Sequence, residues 1–296
     1  MRAITVTRRE DGNETRIGHL PDPSPAAGQI RIRMVGAAVN AADLRIIDDP
    51  GQGPLGLGLD VAGIVDLAAP DVGDLVVGTP VAALTFPFAA HAVAGTAAEY
   101  VIVPAADAAP VPEGIDLLDA ATVPLNSLTA DQLLAHLGPP RGRSLLVTGA
   151  AGGLGGYAVA LAALAGWKVT GLARASDAAF LTRAGAAETI TSLADAADFD
   201  AVLDAALLGA AAMRTVRHHG HYEGVVPGLE PQPERGITVM SGVVAPDGRR
   251  LRDLLALTAN GTLEARRAGT TSLENAAPAF QSLRDGGQRG RWVLTP

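Results

Sequence analysis

Residues 144–157 read SLLVTGAAGGLGGY, and their order decides the architecture of the chain. Leu145, Leu146 and Val147 form a short apolar run of the kind that is buried on both faces of a parallel sheet. Gly149, Gly152, Gly153, Gly155 and Gly156 then crowd a turn, and an Ala/Leu-rich segment from Leu154 to Ala165 follows as a packed helix. Strand, glycine turn and helix in succession are the context of a dinucleotide site. Side chains at such a turn would hold a pyrophosphate away, whereas glycines let backbone N–H groups and the positive helix start approach it. The expected phosphate loop is Gly149, Ala150, Ala151, Gly152, Gly153, Leu154 and Gly155.

The next strand, Trp167 to Leu172 (WKVTGL), ends in Ala173, Arg174, Ala175 and Ser176. An NAD site places Asp or Glu about 20 residues past the glycines, where it accepts from the ribose hydroxyls. Ala173 and Arg174 occupy that place here. An arginine suits a 2′-phosphate, and Ser176 adds a hydroxyl donor, so the expected cofactor is NADPH. The alternative makes Arg174 a solvated surface residue and Ser176 the cap of a helix starting near Asp177.

A length of 296 residues corresponds to about two domains. Hydrophobic residues make up 48%, enough for a globular core. A net charge of −8 with only 18% charged residues argues against nucleic acid or an anionic membrane as partner. The absence of cysteine removes disulfides, thiolate nucleophiles and cysteine zinc sites together. The opening MRAITVTRREDGNE lacks the apolar core of a signal peptide, and no run approaches the ~20 apolar residues of a membrane span. The expectation is a cytoplasmic protein.

Strands are expected at Ala3–Val6, Gln29–Val35 (continuing into 39–43), Leu59–Val65, Thr79–Leu84 and Glu99–Val103, with a hairpin turn at Asp11–Gly12 and loops at 21–28 and 48–58. From Asp116 the texture changes. Helices at 119–121 and 128–137 are followed by alternating strands and helices, the strands beginning at Leu145, Lys168, Glu188, Ala201, Tyr222 and Ile237. This alternation predicts parallel βαβ units in a doubly wound sheet. Helices at 251–259 and 274–283 and a strand at 291–294 complete the pattern.

The same order, with the strings VNAAD (39–43), LDVAGIV (59–65), GTAAEYVIVP (95–104), VPLNSLTA (123–130), TGAAGGLGG (148–156) and GRWVL (290–294), resembles the zinc-free quinone oxidoreductase branch of the medium-chain dehydrogenase/reductase superfamily. The resemblance implies an α/β fold: a GroES-like β-rich domain over 1–117, completed by about 260–296, and a Rossmann domain with a doubly wound parallel sheet over 118–259. It implies an NADPH-dependent reductase that passes a hydride to a quinone or α,β-unsaturated carbonyl, acting as a homodimer. Asn40 matches the family's asparagine near the nicotinamide ribose and substrate, and Thr129 the threonine near the nicotinamide. Asn40, Leu44, Phe86 and Phe88 form the expected substrate pocket. Where the family often carries a tyrosine after the NxxD string, this chain has LRIIDDPGQG with no aromatic. That departure keeps two alternatives open: a redox-inactive NADPH-binding sensor or partner protein, and a biosynthetic enoyl reductase or cyclising enzyme on a larger substrate.

Other groupings carry less. TGxxxGxG also marks short-chain dehydrogenases, but these need Tyr-x-x-x-Lys, and the three tyrosines here are followed by Pro104, Leu161 and Val226. His218, His219 and His221 (RHHGH) resemble a metal cluster but have poor ligand geometry; the segment is expected as a loop ahead of a strand at Tyr222, with no metal. His91 is expected in a surface loop, and Asp43 as a structural carboxylate accepting backbone hydrogen bonds. Asp204, at the carboxyl edge of the expected sheet, either borders the cofactor or caps a loop. No nucleophile is assigned.

Overall fold

A computed structural model of the chain describes residues 1–51, 54–86, 94–196 and 198–296. The chain divides into two compact units. One comprises Met1–Leu125, Pro246–Ala259 and Ala265–Pro296, the other Asn126–Ala245 and Asn260–Glu264.

The first unit opens on a hairpin of β1 (Arg2–Arg9) and β2 (Gly12–His19), joined by a turn at residues 10–11. Gly12 turns the chain with a φ of 134°, which a residue with a Cβ rarely adopts. β3 (Gln29–Ala38) then alternates: Ile30, Ile32 and Met34 point into the core while the arginines between them do not. Arg31 forms a two-pronged pair with Asp66 and lies over the Tyr100 ring. After α1 (Ala41–Asp48) and the short β4 (Leu55–Gly56) come β5 (Asp60–Ala68), β6 (Pro80–Leu84), β7 (Tyr100–Pro104) and β8 (Ala108–Pro110), then α2 (Leu117–Ala120). β3 pairs antiparallel with both β5 and β7, and β6 lies between β5 and β8.

The second unit is built from α3 (Pro124–His136), whose first turn still belongs to the first unit, then β9 (Ser144–Thr148), α4 (Gly153–Ala165), β10 (Lys168–Leu172), α5 (Ala178–Arg183), β11 (Glu188–Ile190), β12 (Phe199–Asp204), α6 (Ala210–Met213), β13 (Val216–Gly224) and β14 (Thr238–Ser241). Its six strands are all parallel, in the order β11-β10-β9-β12-β13-β14. Counted along the chain this is 3-2-1-4-5-6, the doubly wound order whose direction reverses between the first and fourth strands. α4 is apolar all round and buried from Gly155 to Ala162, as a helix covering a parallel sheet must be. Gly166, at φ 98°, ends it in a left-handed cap.

The chain then returns to the first unit as α7 (Gly248–Ala259), β15 (Arg267–Ser272), α8 (Ala277–Asp285) and β16 (Arg291–Thr295), with β16 pairing antiparallel with β3. The expected division put 1–117 with about 260–296 in one domain and 118–259 in the other; by contacts the first unit also takes in residues 118–125 and 246–259. α7, counted above with the Rossmann half, buries Leu251, Leu254 and Leu255 in the first unit. It packs so closely that a Cβ on Gly248 would lie 2.4 Å from the Ala108 carbonyl oxygen.

Several elements differ from the sequence expectation, the short strands β4 and β8 among them. Residues 41–48, expected to continue a strand and enter a loop, form α1. β15 was not foreseen. RHHGH lies inside β13, with His218 and His219 exposed and His219 at φ 58°. The register of β12 against β13 shifts there: Val216 and His221 pair with β12, and residues 217–220 are carried between them as an irregularity in the strand.

Candidate functional site

In the second unit the candidate site lies where the strand order reverses, at the carboxyl ends of β9 and β12. β9 delivers Thr148 into Gly149, which turns with φ 58° and carries its loop against the loop after β12. A Cβ on Gly149 would meet Ala206 at 3.2 Å. The Gly152 N–H donates to Gly149 O (2.8 Å), and Gly152 then starts α4 with extended backbone. Gly155 has ordinary helical geometry, yet a Cβ there would sit 2.2 Å from Gly149 O and 2.8 Å from Ala150 Cα. The third glycine therefore lets the helix close on its own entry loop. The opening N–H groups of a 13-residue helix have no intrahelical acceptor and point to where an anion sits. These residues fit a pyrophosphate.

Asp204, left open between cofactor contact and loop cap, is the cap. It is fully buried. Its Oδ1 accepts from the Thr148 hydroxyl, and its Oδ2 accepts from Gly209 N and the Tyr222 hydroxyl, both at 2.7 Å. Thr148 Oγ1 accepts in turn from Ala206 N at 3.0 Å. One carboxylate thus ties β9, β12, β13 and the loop 205–209 together beside the glycine turn. Burial and the Asp204 bond push the Tyr222 hydroxyl far above its ordinary range, so it stays a donor at any working pH.

Arg174 and Ser176 both lie exposed just past β10, Arg174 at the start of a single 3₁₀ turn over Ala175–Asp177. Ser176 is inside that turn, so the capping role considered for it does not arise. Thr129 is half-buried on α3.

In the first unit, Asn40 is the N-cap of α1 and almost fully buried. Its backbone N–H donates to Asp43 Oδ2 (2.7 Å), and Asp43 Oδ1 accepts from Gly58 N (2.8 Å), the structural part expected of that carboxylate. The Asn40 Nδ2 donates to Ala38 O (3.1 Å) and to Asp60 Oδ2 (2.9 Å). Asp60, which the sequence reading did not single out, is fully buried, and its Oδ1 accepts from Leu125 N at 2.7 Å. The signal was present: an aspartate leading into the apolar run Val61–Val65 needs partners in the core. Burial pushes Asp43 up to about 6, its backbone hydrogen bonds and Arg291 acting against the shift. Burial and the neighbouring Asp43 push Asp60 up to about 7, against its hydrogen bonds and Arg291.

Of the other expected substrate-pocket residues, Leu44, on α1, packs on the first unit's core. Phe86 is half-buried just past β6, and Phe88 and His91 lie outside the described residues. A groove of about 270 Å³ lined by Ile17, Ile47, Phe280 and Arg284 contains none of them. Among the described residues no three or more His, Cys, Asp or Glu side chains are grouped to hold a metal. His221 and His136 instead flank the buried Glu223, His136 Nδ1 lying 2.9 Å from its Oε1. Among the described residues no helix is long and apolar enough to cross a membrane.

Comparison with known proteins fits this geometry. Residues 26–113 match the alcohol dehydrogenase GroES-like domain and residues 182–294 the zinc-binding dehydrogenase domain. A chloroplastic quinone oxidoreductase of Triphysaria versicolor is 25% identical over 94% of this chain and 92% of its own length. The polyketide synthase GfsB of Streptomyces halstedii is 31% identical over 90% of this chain but only 5% of the synthase. The chain's matches to several other curated relatives span between 36% and 59% of those proteins. The structure of a quinone oxidoreductase from Coxiella burnetii, 24% identical, superposes with a TM-score of 0.86 over 100% of this chain and 99% of that one. A GroES-like unit, a parallel sheet of order 3-2-1-4-5-6 and these matches together place the chain in the medium-chain dehydrogenase/reductase superfamily, among its quinone-oxidoreductase-like members.

Proposed function

We propose that the chain is a zinc-independent, NADPH-dependent reductase that passes a hydride to a quinone or an α,β-unsaturated carbonyl. The observation that carries this is the glycine turn at the point of strand-order reversal, where α4 starts and only glycine fits against Gly149 O. When bound there, the nicotinamide cofactor supplies the hydride, the protein contributing binding and orientation.

Each part of the chain has a defined task. Backbone N–H groups around Gly152, Gly153 and Leu154, with the positive start of α4, hold the pyrophosphate. Arg174, two residues past β10 with no acidic residue in its place, takes the 2′-phosphate, with Ser176 as an added donor. Ala150 and Ala151 are small enough to let the loop approach, and the Asp204 knot keeps the loop 205–209 from collapsing onto it. Asn40 and Thr129 orient nicotinamide and acceptor, and Leu44, Phe86 and Phe88 serve the acceptor side. No side chain is required as nucleophile, and the chain has no cysteine with which to build a thiolate zinc site. Reduction of an enone leaves an enolate whose proton comes from water. The protein works as a cytoplasmic homodimer.

Purified protein with NADPH and a panel of quinones and enones tests this. Acceptor-dependent NADPH oxidation, faster than with NADH, is expected; no turnover on any acceptor overturns it. The polyketide synthase match supports a second reading, an enoyl reductase for a larger, chain-like substrate. Turnover of long-chain enoyl thioesters at rates well above those with simple quinones distinguishes it.

A further inference from the structure

We propose that Asp60 is a positioning residue whose buried, ionised carboxylate fixes the Asn40 carboxamide and the first turn of α3 in the arrangement that serves reduction. This rests on the function proposed above, in which Asn40 orients nicotinamide and acceptor. Two donors from different elements converge on the one carboxylate: Asn40 Nδ2 on Oδ2 at 2.9 Å and Leu125 N on Oδ1 at 2.7 Å. Leu125 N is one of the opening N–H groups of α3 that has no acceptor within the helix. Asp60 is fully buried, so water does not replace either bond.

The ionised form alone presents two strong acceptors. Adding a proton to either oxygen turns that oxygen into a donor facing a donor or leaves it a weak acceptor, and one of the two bonds is weakened. Ala38 O holds the second Nδ2 hydrogen of Asn40 and the Asp43 backbone N–H donates to the Asn40 side-chain oxygen, so Asp60 completes the set of contacts that keeps Nδ2 toward the core. The charged groups acting on Asp60 are Asp43 on α1, which resists its ionisation, and Arg291 on β16, which favours it. Their balance with burial brings the ionisation into the neutral range, about 7. The carboxamide's hold is therefore complete only on the alkaline side of neutrality.

The test uses the wild-type protein and Asp60→Asn. Side-chain amide resonances of ¹⁵N-asparagine-labelled protein are followed from acid to alkaline pH, the chain having five asparagines to assign. The Asn40 pair is expected to shift through an ionisation near neutrality in the wild type, and in Asp60→Asn to lose that step and keep only the smaller response to the neighbouring Asp43. In parallel, kcat/KM for the quinone is expected to rise through the same midpoint, and to fall at least about tenfold and lose that pH dependence in Asp60→Asn. A wild-type Asn40 pair that does not move through neutrality overturns the proposal without recourse to any variant. So does an unaltered pH profile in a folded Asp60→Asn protein. Absence of wild-type turnover refutes the reductase reading instead, while the amide titration still decides whether Asp60 governs Asn40.

Discussion

Gly155 and Gly156 are adjacent residues of α4, and replacing each by alanine separates two effects that a glycine loop usually confounds. Both gain helix propensity, about 1 kcal/mol on going from glycine to alanine. At Gly155 the new Cβ would lie 2.2 Å from Gly149 O and 2.8 Å from Ala150 Cα and Gly149 C, all backbone atoms. At Gly156 it would meet only the tip of the Phe180 ring, at 3.0 Å, a side-chain contact that yields by a small rotation. Forcing a methyl into a packed site costs about 1–3 kcal/mol. Gly156→Ala is therefore expected to be near neutral. Gly155→Ala is expected to be less stable than Gly156→Ala by about 1–3 kcal/mol, which at about 2–4 °C per kcal/mol lowers Tm by several degrees. The displaced atom is the carbonyl that accepts from Gly152 N, so the same substitution should weaken NADPH by about tenfold or more. Thermal unfolding and a fluorescence titration with NADPH measure both. Equal Tm and equal affinity in the two variants would refute the reasoning.

Arg174→Ala should weaken NADPH about tenfold to a hundredfold, the range of a charge-assisted contact, and change NADH little; equal loss in two parallel titrations removes the 2′-phosphate role. Asp204→Asn replaces with an amide NH2 one of the two oxygens that accept, Oδ1 from Thr148 and Oδ2 from Gly209 and Tyr222, and should cost about 2–4 kcal/mol in chemical denaturation, whereas Tyr222→Phe should cost about 1 kcal/mol because Gly209 N still satisfies Oδ2. Asp43 and Asp60 are raised in the folded protein to about 6 and about 7 from an unfolded value near ~4, so the folded state binds the extra protons between these limits. Their contribution to stability is full below pH ~4 and is lost as pH rises through the folded values. Asp60→Asn should therefore show a shallower fall in Tm between acid and neutral pH than the wild type, and a slope identical to wild type would contradict this.

The Rossmann half was legible because local signals agreed with the global fold. An apolar strand, a glycine turn that only glycine satisfies and an apolar helix recur in a fixed order, and β9, β10, β11, β12 and β14 begin within two residues of where composition placed them. RHHGH misled because three histidines and a glycine favour a loop, while the segment is bracketed within β13 by Val216, paired with β12, and His221, paired with both β12 and β14. α1 was missed although Asn40 followed three residues later by Asp43, then Leu44, Ile46 and Ile47, is a helix-start pattern; at eight residues it has too little length for periodicity to show. Asp60 escaped because its partners, Asn40 and Leu125, lie 20 and 65 residues away, and no spacing in the chain records that they meet. For Asp204 the position at the strand end was visible, but whether it faced a cofactor or its own loop was settled only by the donors of Thr148, Gly209 and Tyr222.

The most direct test of the central claim is a single-turnover experiment in which protein saturated with NADPH is mixed with a quinone and the reduced-nicotinamide absorbance is followed. The account predicts loss of the bound NADPH signal in step with acceptor reduction, and a markedly smaller amplitude when NADH replaces NADPH at the same concentration. Bound NADPH that persists in the presence of quinones and enones alike would contradict it.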